Sequence, residues 1–236
     1  VREQLRHGAN QIKIMAGGGV ASPTDPIDGT QYSLEELTAI CEETTAANTY
    51  AMAHAYSPRS ITRAVQCGVR TIEHGNLLDE AAAKVMKTHG AFLVPTLATY
   101  AVLGDEGQRL KWSDEMLAKL DRVKDAGTRA IAIAKAAGVP IGFGTDLLGT
   151  MHPQQAREWR LRASVQTPVE QLQSATSVAA TVLNQDGKLG VIAPGAHADL
   201  IVVDGDPTQD ILVMCEPEKN FVGIMKAGKW EKPVAR

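Results

Sequence analysis

Short apolar segments alternate with amphipathic segments through most of the chain, which predicts strands separated by helices. The predicted strands are residues 11–16, 49–56, 69–75, 91–99 and 139–146. The predicted helices are residues 33–48, 57–68, 79–90, roughly 113–138, about 153–166 and 168–184. Strands that are separated by helices run parallel and need helical cover, so an α/β fold with an open parallel sheet or a barrel is expected.

The pattern changes near the C-terminus. The segments "HADLIVVDGD" and "FVGIMKAGKW" are strand-like and are joined by turns rich in Gly, Pro and Asp, with no intervening helix. We therefore expect two domains, a (β/α) domain over residues 1–185 and a small β domain over residues 186–236.

Composition narrows the class of protein. The chain is 44% hydrophobic with a net charge of −3, and it has neither a long basic run nor an apolar segment near the ~20 residues of a membrane span. We expect no nucleic-acid or membrane partner. Three widely spaced cysteines do not make a disulfide framework, which favours a reducing, cytoplasmic compartment. The chain begins with Val1 and shows no signal peptide, so a leader lost with a missing N-terminal part is left open.

Polar residues stand near the carboxyl ends of four predicted strands. They are Lys13, His54, His74 and Asp146. Taken singly, each has an ordinary structural explanation. A histidine can be a hydrogen-bonded core residue, an aspartate can lie in a turn, and a lysine can reach the sheet edge. In parallel α/β folds, however, such residues converge on one spot, and two imidazoles with a carboxylate suit zinc or a similar divalent cation.

Lys13 poses a separate question, because it lies between Ile12 and Ile14 in the apolar run "QIKIMAGGGV" and faces the same way as Met15. We expect it to be buried. Desolvation favours the neutral amine, which can add carbon dioxide and become a carbamate shared by two cations. The glycines that follow permit tight turns and close backbone approach.

Four segments together resemble the metal-dependent amidohydrolase superfamily. They are "IKIMAGGG", "AHAYSPRSITRAVQCGVRTIEHGN", "FGTDLLGTMHP" and "GKLGVIAPGAHADLIVVDGDP". The resemblance is to the imidazolonepropionase-related, prolidase-like branch, which includes Xaa-Pro dipeptidases and carboxypeptidase-like enzymes. It implies strands 4–8 of a TIM-like (β/α)8 barrel and part of a small β-sandwich.

The same resemblance implies roles for particular residues. Lys13 matches the carboxylated lysine, while His54 and His74 match the metal ligands of strands 5 and 6. Asp146 matches the aspartate that binds the other metal and shuttles the proton, and Tyr56 matches a tyrosine that polarises the scissile carbonyl. One or two divalent cations, zinc foremost, are implied as cofactors.

One departure from the family pattern is large, because the His-x-His pair of strand 1 is absent. By this alignment the chain is the C-terminal portion of a longer enzyme, without strands 1–3. Five parallel strands cannot close an eight-stranded barrel and would leave two open edges. We therefore expect association with the missing N-terminal part or a homo-oligomer.

Two further residues are candidates for substrate binding. His152 follows Asp146 in the loop after the last barrel strand, where it either contacts substrate or only shapes the loop. Arg59 stands near the carboxyl end of strand 49–56 and could hold a substrate carboxylate, although a solvated helix face explains it as well.

These features favour a hydrolase in which a metal-activated hydroxide cleaves an amide or peptide C–N bond. The implied substrate is a small molecule, a dipeptide (Xaa-Pro among them) or an N-acyl amino acid. Two alternatives stay open: a mononuclear cyclic amidohydrolase or deaminase, and an inactive fragment that needs its missing N-terminal part.

Overall fold

The computed structural model describes residues 1–106 and 112–234, and it contains the expected parallel sheet. The strands lie in chain order, each parallel to the next. They are β1 (Ile12–Met15), β2 (Ala51–Ala55), β3 (Thr71–His74) and β4 (Phe92–Val94). The α/β prediction is confirmed at this level.

The described residues form eleven α-helices, among them those predicted over residues 33–48, 57–68 and 79–90. They are α1 (Arg2–Arg6), α2 (Leu34–Ala46), α3 (Pro58–Gln66), α4 (Glu80–Thr88), α5 (Leu97–Glu106), α6 (Asp114–Lys124), α7 (Gly127–Ala137), α8 (Arg157–Arg162), α9 (Pro168–Ala175), α10 (Ser177–Val182) and α11 (Pro217–Asn220). Ser33 and Glu36 form a reciprocal capping box at the start of α2. Within the described ranges, no helix combines the length and apolarity needed to cross a membrane.

The two faces of the parallel sheet differ in burial at the edge strand β1. Ile14, Ala53 and Ile72 are register neighbours on one face, and none of them is more than 5% exposed. Burying one such isoleucine contributes about 1.5–3 kcal/mol. On the other face, the edge strand β1 leaves Met15 42% exposed. The face that carries Lys13 and Met15 is therefore open at this edge.

Several predicted element boundaries are wrong. The predicted strand 139–146 makes only one β-bridge, between Leu93 and Ile141, because Gly142 and Gly144 weaken strand pairing. The predicted strand 91–99 ends at Val94, since Pro95 lacks an N–H and α5 begins at Leu97.

Three predicted helices are also divided. The helix predicted over 113–138 is two helices, α6 and α7, and that predicted over 168–184 breaks at Thr176 into α9 and α10. The segment predicted as a helix from about 153 to 166 begins as a 3-10 helix, Gly149–Gln154, before α8.

Two compact units make up the chain, Val1–Ile141 and Gly142–Arg236. The second contains an antiparallel sheet of β5 (Leu200–Val203), β6 (Phe221–Lys226) and β7 (Lys229–Lys232). The expected absence of an intervening helix is wrong, because a 3-10 helix (Ile211–Cys215) and α11 lie between β5 and β6. The domain boundary at 185/186 stays a prediction, and residues 235 and 236 lie outside the described ranges.

A buried ion pair holds part of the second unit together. Glu158 and Arg162 lie one turn apart in α8, both side chains are fully buried, and Nε of Arg162 donates to Oε1 of Glu158 at 2.6 Å. The guanidinium also donates to the Gly142 carbonyl at 2.9 Å and stacks 4.6 Å from the Phe143 ring centroid. Arg162 therefore fixes the start of the segment that leads to Asp146.

Candidate functional site

Two histidines meet where β2 and β3 end. His54 is the penultimate residue of β2 and His74 the last residue of β3. They are 5% and 3% exposed, and their ring centroids lie 4.7 Å apart. The sequence-based expectation that these two imidazoles converge at one sheet edge agrees with this geometry.

The convergence depends on an unusual backbone conformation at His74. In the strand register His54 pairs with Glu73, whereas His74 pairs with Ala55. Regular alternation would therefore send the two histidine side chains to opposite faces of the sheet. His74 instead has a φ of 73°, which interrupts the alternation. A left-handed conformation at a residue other than glycine is costly and concentrates at functional sites.

Two buried tyrosines complete what we call the aromatic cluster, defined as His54, Tyr56, His74 and Tyr100. The Tyr56 ring lies 4.6 Å from the His54 ring and 5.5 Å from the His74 ring. Tyr100, in α5, donates a hydrogen bond from its hydroxyl to the Tyr56 hydroxyl at 2.9 Å. The predicted site residue Tyr56 thus lies beside both imidazoles.

Each imidazole has a defined hydrogen-bond partner. Nε2 of His54 is 3.0 Å from the carbonyl oxygen of Gly18. Because a carbonyl only accepts, this contact puts a proton on Nε2. Nδ1 of His74 is 2.7 Å from the hydroxyl oxygen of Thr96. Among the described residues, no hydrogen bond occupies Nε2 of His74.

The loop that supplies the Gly18 carbonyl is tightly packed. A Cβ added at Gly18 would lie 2.0 Å from the carbonyl oxygen of Pro26, whereas one at Gly19 would come no closer than 3.9 Å to Nε2 of His54. The close backbone approach expected of the glycine run is therefore required at Gly18.

His74 is neutral near pH 7. Burial, then the nearby His54 and then Lys13, hold the pKa of His74 well below its ordinary value of 6.5. A neutral imidazole is the form that binds metal.

The expectation that Lys13 is buried is wrong. The burial of β1 alternates, so that Ile12 and Ile14 are buried whereas Lys13 and Met15 are exposed. Apolar neighbours in a strand face the opposite side of the sheet, so they do not bury the residue between them. Lys13 is nevertheless close enough for its charge to act on His74.

The other predicted site residues are exposed. Arg59 lies in the first turn of α3, just beyond β2. Asp146 and His152 belong to the second unit, where Asp146 has a left-handed φ of 51° and His152 lies in the 3-10 helix. Their roles stay predictions.

The aromatic cluster fits a divalent metal by its chemistry. It offers two buried imidazoles that are neighbours, and nitrogen ligands of this kind suit zinc. Across residues 1–106 and 112–234, no group of three or more His, Cys, Asp or Glu side chains is arranged around a common point. Among the described residues, the candidate metal ligands that lie together are thus His54 and His74.

Sequence reasoning missed Thr96 and Tyr100. Thr96 fell inside the strand predicted over residues 91–99, and Tyr100 belongs to α5, which the sequence pattern did not predict. Thr96 comes two residues after β4 ends, and the rule that drew attention to His54 and His74 would have found it had the strand been ended at Pro95.

Comparison with known proteins identifies the family of the chain. The family model described as "Amidohydrolase family" matches residues 1–231. Ochratoxinase from Aspergillus niger is 33% identical over 231 residues, covering 97% of this chain and 48% of the relative. The chain therefore spans about half the length of this curated relative.

Solved structures give the same result. A prolidase complexed with N-methylphosphonate-L-proline has 54% identity and a TM-score of 0.95, covering 98% of this chain and 57% of that one. An Xaa-Pro dipeptidase with bound methionine in its active site has 28% identity and a TM-score of 0.89, with the same coverage. The match over nearly the whole chain, together with prolidase-like neighbours, confirms the resemblance seen in the sequence: this chain belongs to the amidohydrolase family.

Proposed function

We propose that the chain carries half of the active site of a metal-dependent hydrolase that cleaves an amide C–N bond, in a dipeptide or an N-acyl amino acid with proline on the leaving side. The observation that carries the proposal is the aromatic cluster, in which two buried imidazoles lie beside a buried tyrosine hydroxyl. Membership of the amidohydrolase family and its hydrolase relatives support an enzyme of this class.

The substrate class is supported by the prolidase structure that is 54% identical to this chain over the matched part. Its ligand, N-methylphosphonate-L-proline, places a tetrahedral phosphorus where an acyl-proline amide has its scissile carbonyl carbon. A tetrahedral analogue of this kind resembles the transition state of amide hydrolysis, to which an active site is complementary.

His54 and His74 would hold the metal, with Lys13, as a carbamate, and Asp146 as the further ligands that the family likeness implies. A bound divalent cation supplies a strong nucleophile at neutral pH by lowering the pKa of water to about 7. One or two such cations, zinc foremost, fit this donor set.

Tyr56 would donate its hydroxyl proton to the scissile carbonyl oxygen. Its oxygen accepts a hydrogen bond from Tyr100, and a hydroxyl that accepts a hydrogen bond becomes a more polar donor. Asp146 would accept the proton from the attacking water and deliver it to the leaving amine. Arg59 and His152, both exposed, remain candidates for binding the carboxylate of the substrate.

We also propose that the four-stranded sheet is part of a (β/α)8 barrel and that β5–β7 are part of a β-sandwich. The open face of β1, with exposed Met15, agrees with a sheet that is completed by further chain. Whether that chain comes from the same polypeptide or from a second copy is decided by the mass of the assembly in solution.

The test is hydrolysis of N-acyl prolines and Xaa-Pro dipeptides by the full-length protein, with metal content measured on the same sample. We expect turnover that is lost on chelation and restored by zinc. Lys13→Ala and His74→Asn should each abolish it, and an exposed change, His197→Gln, should not. Chelator-resistant turnover, or full turnover by Lys13→Ala, would contradict the proposal.

A further inference from the structure

Thr96 makes the one side-chain hydrogen bond that the described residues give to His74. It follows Pro95 at the end of β4, is 4% exposed, and places its hydroxyl oxygen 2.7 Å from Nδ1 of the imidazole. This contact joins two neighbouring strands at the edge where the candidate metal ligands lie.

A neutral imidazole carries one N–H and one lone pair, and the partner of one nitrogen decides which is which. When Nδ1–H donates to the Thr96 oxygen, the lone pair is on Nε2. When instead the threonine hydroxyl donates to Nδ1, the proton is on Nε2 and that nitrogen cannot bind a metal. The direction of this hydrogen bond therefore decides whether His74 is ready to be a ligand.

We propose that Thr96 is a positioning residue, which accepts a hydrogen bond from Nδ1 of His74 and so presents Nε2 as a metal ligand. The metal part of this inference rests on the proposed function, whereas the tautomer part does not. His54 shows the same arrangement in reverse, since the Gly18 carbonyl fixes its proton on Nε2.

The geometry argues that this contact does more than pack the residue. His74 reaches Thr96 from a left-handed backbone conformation, which is strained and is kept only where the surroundings hold it. A hydrogen bond to a buried, neutral ring orients the imidazole plane as well as its tautomer. Partners of metal-bound histidines typically change metal affinity 10–100-fold when they are removed.

Three variants separate this role from ordinary packing. Thr96→Val keeps the shape and removes the hydroxyl, whereas Thr96→Ser keeps the hydroxyl. Thr99→Val is the matched control, because Thr99 is another buried threonine, also 4% exposed, in the adjacent turn of α5. Thr96 also immediately precedes α5, so the serine variant preserves any contribution to the helix start.

The first measurement is the tautomer of His74 in the metal-free, full-length protein, read from the ¹⁵N chemical shifts of its side chain. We expect the proton on Nδ1 in the wild type, Thr96→Ser and Thr99→Val, and loss of that preference in Thr96→Val. A proton on Nε2 in the wild type, or an unchanged tautomer in Thr96→Val, would overturn the inference.

The second measurement is zinc affinity by chelator competition. Thr96→Val should bind zinc about 10–100-fold more weakly, with Thr96→Ser and Thr99→Val at the wild-type value. Equal weakening by Thr99→Val would show a general loss of packing and would overturn the positioning role. A wild type that shows the expected tautomer and binds no zinc would overturn the proposed function and leave the Thr96 contact supported.

Discussion

The buried ion pair of the second unit and the aromatic cluster of the first unit treat charge in opposite ways. In the second unit, Glu158 and Arg162 are fully buried as a carboxylate and a guanidinium that neutralise each other. In the first unit, the aromatic cluster buries imidazoles and phenols, and the pKa of His74 is lowered so that its ring is neutral.

The contrast distinguishes a buried polar group that stabilises the fold from buried polar groups that we propose bind a metal. The guanidinium of Arg162 donates hydrogen bonds to Glu158 and to the Gly142 carbonyl, and it stacks on the Phe143 ring. These contacts fix the backbone at Gly142. In the aromatic cluster, Nε2 of His54 contacts the Gly18 carbonyl and Nδ1 of His74 contacts the Thr96 hydroxyl. Nε2 of His74 is a group that we propose would bind a metal.

The largest effect is expected at the ion pair. Arg162→Met leaves a buried carboxylate without its cation and should lower the free energy of unfolding by about 3–5 kcal/mol, measured by urea denaturation. The double variant Glu158→Leu/Arg162→Met removes both charges and should be less destabilised than the single variant. A single variant that costs under ~1 kcal/mol would show that the pair contributes little.

Tyr56→Phe should have a large effect on activity and a small effect on stability. Loss of the hydroxyl that we propose as the carbonyl's donor should lower kcat about 10²–10³-fold, or about 2.7–4 kcal/mol. The free energy of unfolding should change by only about 1 kcal/mol, the worth of the hydrogen bond from Tyr100. Tyr50→Phe, at a buried tyrosine beside Arg70, is the control. Unchanged kcat in Tyr56→Phe would remove this residue from the mechanism.

The residues of these two comparisons also show which features could be predicted from the sequence. His54 and His74 could be predicted, because parallel strands end at one edge of a sheet. The Glu158–Arg162 pair could not, because opposite charges four residues apart on a helix usually form an exposed pair. Its burial depends on packing within the second unit, which no local pattern records.

Other differences have equally physical causes. Lys13 was expected to be buried from its apolar neighbours, although strand alternation puts those neighbours on the other face. The aromatic cluster required a left-handed backbone at His74, which no periodicity announces. Glycines at 142 and 144 reduced a predicted strand to one bridge.

Gly18→Ala tests how firmly the loop holds its carbonyl against His54. The added methyl would meet the Pro26 carbonyl oxygen at 2.0 Å, so the backbone must shift. A cost of about 1–3 kcal/mol in the free energy of unfolding is expected, as for overpacked sites. Gly19→Ala, with no atom closer than 3.9 Å, should be much less destabilising. Equal costs for the two variants would show that contact with Pro26 is not the reason.

The smallest effect concerns pH in the metal-free protein. Above pH ~6.5, His74 is neutral whether folded or unfolded and contributes no pH dependence. Below pH ~6.5, His74 binds a proton in the unfolded chain but not in the folded protein. The free energy of unfolding therefore decreases as the pH is lowered, by up to about 1.4 kcal/mol per pH unit.

Urea denaturation at pH values from about 7 to about 5 measures this slope. His74→Gln should make the slope shallower, and His197→Gln, at an exposed histidine, should leave it unchanged. A slope that is the same in His74→Gln and the wild type would mean that His74 takes up its proton as easily folded as unfolded.

The most direct test of the metal centre is X-ray diffraction at the zinc absorption edge, on crystals of the full-length protein grown with zinc. The account predicts an anomalous peak about 2.0–2.1 Å from one ring nitrogen of His54 and one of His74. Zinc-saturated crystals with no peak between these two rings would contradict it.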